Sequence, residues 1–291
     1  DSVVIHLAFW DPDGDPLAVT ATHVDNLGGA FTEATLTVDA ATATWNNTPA
    51  APGDPWQRPL VELFNNGPWF NSVGTGAGGA DESILETALG MNTLGAGHQY
   101  ALGYQVLDDF TLAADALVTD ITTFSYQTGS PTAPSTITGK YIMVHDGVPG
   151  AGGNLVWGDY TTNLLTNSTW SNVYRVTDTN TGVTTNRPIY ADECDVSGAA
   201  PPLNLTAGTY FMAWSTDGSG ASGPWVPPIV ILGQTSTGDA YQSLDAGATF
   251  APLTDSGLLT PLGLPFILEG GGGPTPTEDV SWGSIKDAFQ D

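Results

Sequence analysis

Residues 100–112, YALGYQVLDDFTL, pose the question on which the fold turns. The stretch reads as a β-strand, yet Asp108 and Asp109 stand side by side inside it. Successive strand side chains point to opposite faces, so one carboxylate must face inward or the strand must bulge. An inward Asp is satisfied either by backbone N–H groups or by a structural calcium ion. Both alternatives follow from the sequence.

Outward from this stretch, similar segments recur at roughly 8–12-residue spacing, separated by Gly, Pro, Asn and Asp turns. They are LVTDITTFSYQT (117–128), GKYIMVHDG (139–147), NLVWGDYTT (154–162), SNVYRVTDT (171–179), GTYFMAWSTDG (208–218), PIVILGQT (228–235) and LPFILEG (264–270). This rhythm predicts an all-β fold, a jelly-roll-like β-sandwich over residues 59–269. One helix is predicted within it, over GADESILETALGM (79–91): Asp81 caps, acids fill the first turn, and Ile84, Leu85, Ala88 and Leu89 share a face.

Residues 1–58 form an N-terminal β segment, with strand-like SVVIHLAFW (2–10), LAVTATHV (17–24) and ATLTVDAATATW (34–45). A Pro-rich stretch, NNTPAAPGDPWQRP (46–59), separates it from the sandwich and marks a domain boundary or a long covering loop. At the other end, residues 270–291 comprise a Gly/Pro linker and a short amphipathic helix. Ser281 caps it, and Trp282, Ile285 and Phe289 fall on one face.

Composition narrows the function. Five basic residues stand against 31 acidic ones, a formal charge of −26. That field repels nucleic-acid phosphates, and no apolar run is long enough to span a membrane. A Thr-, Gly- and Asn-rich, lysine-poor chain suits an exported protein, extracellular or at a cell surface. Cys194 is the only cysteine. No intrachain disulfide can form, and its acidic neighbours disfavour a reactive thiolate.

The segments LFNNGPWFNSVGTGAGGADESILETALGMNTLGAGHQYALGYQVLDDFTL, HDGVPGAGGNLVWGD, LTAGTYFMAWSTDG and SGPWVPPIVILGQTSTGDAYQSLDAGATF, with YQTGS, YRVTDT and GLPFILEG, occur in order between residues 61 and 270. As a set they resemble a family of uncharacterised bacterial secreted β-sandwich domains found in large extracellular proteins with sorting or surface-attachment tails. The resemblance implies export and a β-sandwich. It implies no activity, and it does not cover residues 1–58 or the tail.

Chemistry-bearing motifs are few. Asp11, Asp13 and Asp15 alternate around Gly14, a spacing that lets oxygen ligands converge on Ca²⁺, although the bidentate Glu of an EF-hand is missing. A solvated Asp-Gly hairpin reads the same residues equally well. Asp108 and Asp109 are the second candidate calcium ligands. No G-x-S-x-G or H-E-x-x-H motif is present, and the histidines at 6, 23, 98 and 145 are scattered. His98 and His145 are expected as hydrogen-bonding core or turn residues, and the chain as a non-enzyme. Trp69 and Trp225, each following a Gly-Pro turn, are candidate glycan-stacking surfaces, with core packing as the alternative. Sequons at Asn46, Asn167 and Asn204 are compatible with glycosylation, and chance accounts for them almost as well in so Thr-rich a chain.

The termini suggest assembly. Val3, Val4, Ile5 and Phe9 form an apolar strand that must pair in its own sheet or on a neighbour's edge. A helix as short as the tail needs a partner surface. The expectation is therefore an exported structural protein that polymerises with copies of itself into a filament or surface layer. The alternative is a monomeric adhesin or carbohydrate-binding module that takes surface glycans.

Overall fold

A computed structural model describes residues 61–272. The expectations for residues 1–58 and for the tail helix lie outside the described residues. In chain order the strands are β1 (Val61–Asn65), β2 (Asp81–Leu85), β3 (Ala96–Gly97), β4 (Gln105–Leu112) and β5 (Ala116–Ser125). Then come β6 (Ile137–His145), β7 (Leu155–Gly158), β8 (Asn167–Thr177), β9 (Pro188–Asp195) and β10 (Asn204–Leu205). The last are β11 (Gly208–Gly218), β12 (Trp225–Val226), β13 (Tyr241–Ser243), β14 (Ala251–Pro252) and β15 (Phe266–Gly272). The only helical elements among the described residues are three-residue 3₁₀ turns. The fold is all-β.

A seven-stranded sheet runs β1-β15-β5-β9-β8-β2, with β10 also on β5, and a six-stranded sheet runs β14-β13-β4-β11-β6-β7. Both contribute to one core. Val118, Ile121, Cys194, Phe266 and Leu268 of the first sheet are buried with Val106, Phe110, Ile142, Met212 and Trp214 of the second. Trp214 meets Phe266 edge-on at 5.8 Å between ring centroids, and Phe110 does so at 6.2 Å. Burial of these large apolar surfaces drives the two sheets together. Cys194 lies in this core, and burial pushes its thiol up to about 12, with Lys140 opposing and Asp192 and Glu193 adding.

The alternation of β4 holds through its acidic pair: Asp108 takes the inward side with Val106 and Phe110, and Asp109 is half-exposed. Backbone N–H groups satisfy the inward carboxylate. Its Oδ2 accepts from Leu264 N at 2.7 Å and its Oδ1 from Asp109 N at 3.0 Å.

Two expected elements differ. The predicted helix over 79–91 is instead β2, which runs parallel to β8 from Asp81↔Val173 to Leu85↔Thr177, followed by a 3₁₀ turn at Thr87–Leu89. Asp81 does cap a backbone N–H, but that of Gly74 in the preceding loop at 2.7 Å. Glu82, placed in the first helical turn by the pattern, is fully buried and accepts from Gly182 N and Thr75 Oγ1, both at 2.7 Å. Pairing with β8 outweighs a weak local helix preference. PIVILGQT is buried at Ile229 and Val230 but is not a strand. Pro227 and Pro228 cannot donate to a ladder, and the next N–H groups go to Gly263 and Pro68.

Across the first sheet, Glu62 lies opposite Glu269, Glu269 opposite Asp120, and Asp120 opposite Asp195. Like charges facing each other across strands repel. Partial burial and then the neighbouring carboxylates raise the pKa of Glu269, and those of Asp120 follow the same direction despite a bond from Thr119.

Candidate functional site

Beyond the end of β5 a cleft of about 490 Å³ opens, lined by residues of six separate stretches of the chain. Its frame is the two-stranded β3·β12 ladder, in which Trp225 pairs with Gly97 and Val226 with Ala96. Tyr126, just past β5, exchanges both backbone hydrogen bonds with Trp225 at 2.9 Å, so the indole is anchored to the main sheet. Gly95 lets the loop pass close beneath it: a Cβ there would stand 2.7 Å from the Tyr126 hydroxyl oxygen and 2.9 Å from the Trp225 Cβ. Gly223, at φ +99, starts the turn that delivers Trp225.

The wall at residues 92–97 is held from two sides by buried charges. Arg175, on β8, donates from Nε to Leu94 O at 2.7 Å, from Nη2 to Thr93 O at 3.1 Å, and from Nη1 to Ser83. Desolvation lowers its pKa to about 10, with Arg187 adding to the effect and Tyr126 and Asp255 opposing it. On the other side, Asp255 Oδ2 accepts from Asn92 N at 2.9 Å and Thr93 N at 2.8 Å, while Oδ1 accepts from Gly257 and Leu258. Desolvation pushes the Asp255 pKa up, but these N–H donors outweigh it and the net shift is downward. Gln242 closes the frame by donating to Gly97 O at 2.7 Å. The wall is therefore set before any ligand arrives.

Within the cleft lie Trp225, Tyr126, Thr128, Ser222 and Arg187. Trp225 is half-buried, with its indole N–H 3.4 Å from Ser222 Oγ. Burial raises the Tyr126 phenol to about 12, opposed by Arg175 and Arg187, so the hydroxyl stays a neutral donor and acceptor. An indole face, hydroxyls and amides beside a guanidinium form a surface that can stack a ring and hydrogen-bond its substituents.

The second grouping is acidic. Single carboxylate oxygens of Asp108, Asp109 and Asp239 all lie within 4.8 Å of one another. Desolvation raises Asp108 to about 7, against the N–H groups of Leu264 and Asp109 and with the repulsion of Asp109 and Asp239. Asp109 is raised as well, by desolvation and then by Asp239. Asn66 Nδ2 also donates to Asp108 Oδ2, at 2.8 Å, so the buried carboxylate is already engaged by the protein. Oxygen ligands of this kind suit a hard cation such as Ca²⁺, which takes about 6–8 of them.

The sequence-predicted residues divide as follows. Trp225 lines the cleft. Trp69, the other candidate stacking residue, does not line this cleft; it is half-buried like Trp225 and packs against the same cluster, its ring stacked on Phe124 at 4.1 Å and 16° and its buried Nε1 without a partner among the described residues. The two Gly-Pro-Trp turns share positive-φ glycines, at +94 for Gly67 and +99 for Gly223, and both deliver their indoles to the cluster of Phe124, Tyr126, Val173 and Ile189, Trp225 alone also lining the cleft. Asp108 and Asp109 come together with Asp239, which the sequence reading missed. Asp239 precedes β13, and β13 pairs with β4 through Tyr241↔Leu107, a long-range register that local spacing does not reveal. Asn167 and Asn204 are exposed, Asn167 donating to Glu193. His98 is fully buried with neither ring nitrogen hydrogen-bonded among the described residues, unlike the bonded histidine expected. Burial and then Lys140 keep it neutral. His145 likewise leaves its buried Nδ1 without a partner. Asp11, Asp13, Asp15, Asn46, Val3, Val4, Ile5, Phe9, Trp282, Ile285 and Phe289 lie outside the described residues. Arg187 was also missed; its signal was scarcity, one of few cations, set directly before the Pro188 that opens β9.

No helix among the described residues is long and apolar enough to cross a membrane. The chain matches no family model, no curated protein and no solved structure.

Proposed function

We propose that this chain is an exported, non-enzymatic carbohydrate-binding module on a jelly-roll-like sandwich, and that it binds sugar in the Trp225 cleft. The sandwich reading is supported by nested antiparallel pairing: β1 with β15, β4 with β11, β5 with β9, and β6 with β7. Such nesting, first strand with last and inward from there, is that of one long hairpin rolled into two facing sheets. Export follows the composition and the family resemblance.

The observation that carries the binding reading is the preset cleft, of a volume suited to a small ligand, with an indole on its wall. Aromatic stacking is worth about 0.5–1.5 kcal/mol beyond area burial, so Trp225→Ala is expected to weaken saccharide binding about tenfold or more. Glycan-array screening followed by calorimetric titration of the full chain and the variant measures this. Undiminished binding by Trp225→Ala overturns the cleft as the site.

A second reading, the self-assembling filament subunit, is favoured by β7. It is an edge strand with Leu155 and Val156 exposed, the kind of edge to which an extended apolar segment such as Val3–Phe9 can add a strand. Negative-stain microscopy with and without millimolar calcium, comparing the full chain with one ending at Gly272, is then expected to show polymers from the full chain alone. Monodisperse particles throughout would leave the binding module as the function.

A further inference from the structure

Three of the chain's five basic residues fall among the described ones, and two of them are consumed internally. Lys140 is fully buried against Asp192 at 2.8 Å, and buried Arg175 holds the cleft wall. Arg187 is different. It is half-exposed, lines the cleft, and its guanidinium makes no ion pair or hydrogen bond among the described residues. Among the described residues, no carboxylate of this acidic chain pairs with that guanidinium at the cleft.

We infer that the cleft selects anionic saccharides, with Arg187 receiving the acid group while the sugar ring lies on Trp225. This rests on the carbohydrate-binding reading and adds the ligand class to it. A guanidinium presents paired donors to a carboxylate or a sulfate half-ester in a fork that matches either group's oxygens. Thr128 and Ser222, lining the same cleft, offer hydroxyls to the ring. A neutral sugar would leave the guanidinium unused, whereas an acidic one gives it a counter-charge that the described residues do not supply. The formal charge of −26 repels an acid at a distance, so the attraction acts at contact and binding is best measured at physiological salt, where the Debye length is about 8 Å.

Calorimetric titration of the full chain with four probes tests this: an oligogalacturonate, the same oligomer methyl-esterified, a neutral galactan oligosaccharide and a sulfated one. The acid is expected to bind about tenfold to a hundredfold more tightly than its methyl ester, as for a lost charge-assisted bond. Arg187→Gln should bind acid and ester alike, and Arg187→Lys should restore part of the preference. Sulfated binding that also needs Arg187 supports the inference and adds the second source of the acid group. An ester bound as tightly as the acid, or an acid preference that survives Arg187→Gln with an unchanged circular-dichroism spectrum, overturns the inference. Neutral sugars bound through Trp225 without acid preference also overturn it but leave the cleft reading intact; no binding of any probe removes both.

Discussion

Lys140→Met is expected to destabilise the fold by about 3–5 kcal/mol, because it strands a buried carboxylate. Lys140 occupies an inward position of β6 in line with Ile142 and Val144, and Asp192 an inward position of β9 in line with Cys194. Their side chains meet between the two sheets, both fully buried, with Lys140 Nζ 2.8 Å from Asp192 Oδ2 and 2.6 Å from Thr216 Oγ1. Ser168 Oγ donates to the other carboxylate oxygen at 2.7 Å, and Ser125 donates to the shared one. It is the only ion pair among the described residues, and it spans the core. In Lys140→Met, Asp192 keeps the two serine donors but loses its counter-charge. Replacing both partners by Met and Leu should recover most of the loss, since a buried pair is often no more stabilising than apolar residues of similar volume. Urea unfolding of the single and double variants measures both. Equal stability of wild type and Lys140→Met would show that the pair is solvated rather than buried.

The second large effect is a dependence on pH. Asp108 has its pKa raised from 3.8 to about 7, chiefly by burial. Between those values the folded state holds a proton that the unfolded chain releases, so stability falls as pH rises from about 4 to about 7. Below about 4 both states are protonated and the group contributes nothing; above about 7 the full cost is present. Roughly three pKa units correspond to about 4 kcal/mol as an order of magnitude. Asp108→Asn should flatten this part of the curve and stabilise the protein at pH 8 relative to wild type, less about 1 kcal/mol for rearranged hydrogen bonds. Asp109, Asp120 and Glu269, whose pKa values are also raised, tilt the remainder in the same direction. The exposed carboxylates held low by hydrogen bonds, Asp159 by Thr161 and Thr162 and Asp245 by Thr249, act oppositely, losing their stabilisation only as pH falls below the ordinary carboxylate range. Denaturation series at pH 5 and pH 8 separate the two groups. If calcium occupies the Asp108, Asp109 and Asp239 cluster, millimolar Ca²⁺ at pH 8 should restore stability to wild type and leave Asp108→Asn unchanged. A wild type no less stable at pH 8 than the variant would overturn the buried-charge account.

These residues also explain what was legible. Runs such as GTYFMAWSTDG became β11 over the same residues because their turns and β-branched or aromatic content agree with the final pairing. β9 escaped the reading although it lies inside the first sheet: PIYADECD carries three acids in its last four residues and tells of solvent. Only the opposite sheet, which supplies Lys140 to Asp192, makes it a core strand. The site shows the same limit. Trp225 could be flagged by its turn, but it, Gln242 and Gly97 converge through pairings across well over a hundred residues, and Arg187 joins them only in the folded chain. Trp69, in the same tripeptide, packs against the same cluster but does not line the cleft, a difference the tripeptide does not carry.

The pairing of β1 with β15 places Val61 opposite Gly270, so the chain enters and leaves the first sheet side by side at one edge. Tension applied through both flanking segments would therefore open the β1·β15 ladder from its free end, one hydrogen bond at a time, instead of loading the whole row in shear. Val61↔Gly270 would part first, then Glu62↔Glu269, whose carboxylates already repel. Mechanically this is a zipper. A thread pulled along its length would be weakest at that seam, whereas a module hung from a larger protein by that edge would present its cleft freely and bear almost no load.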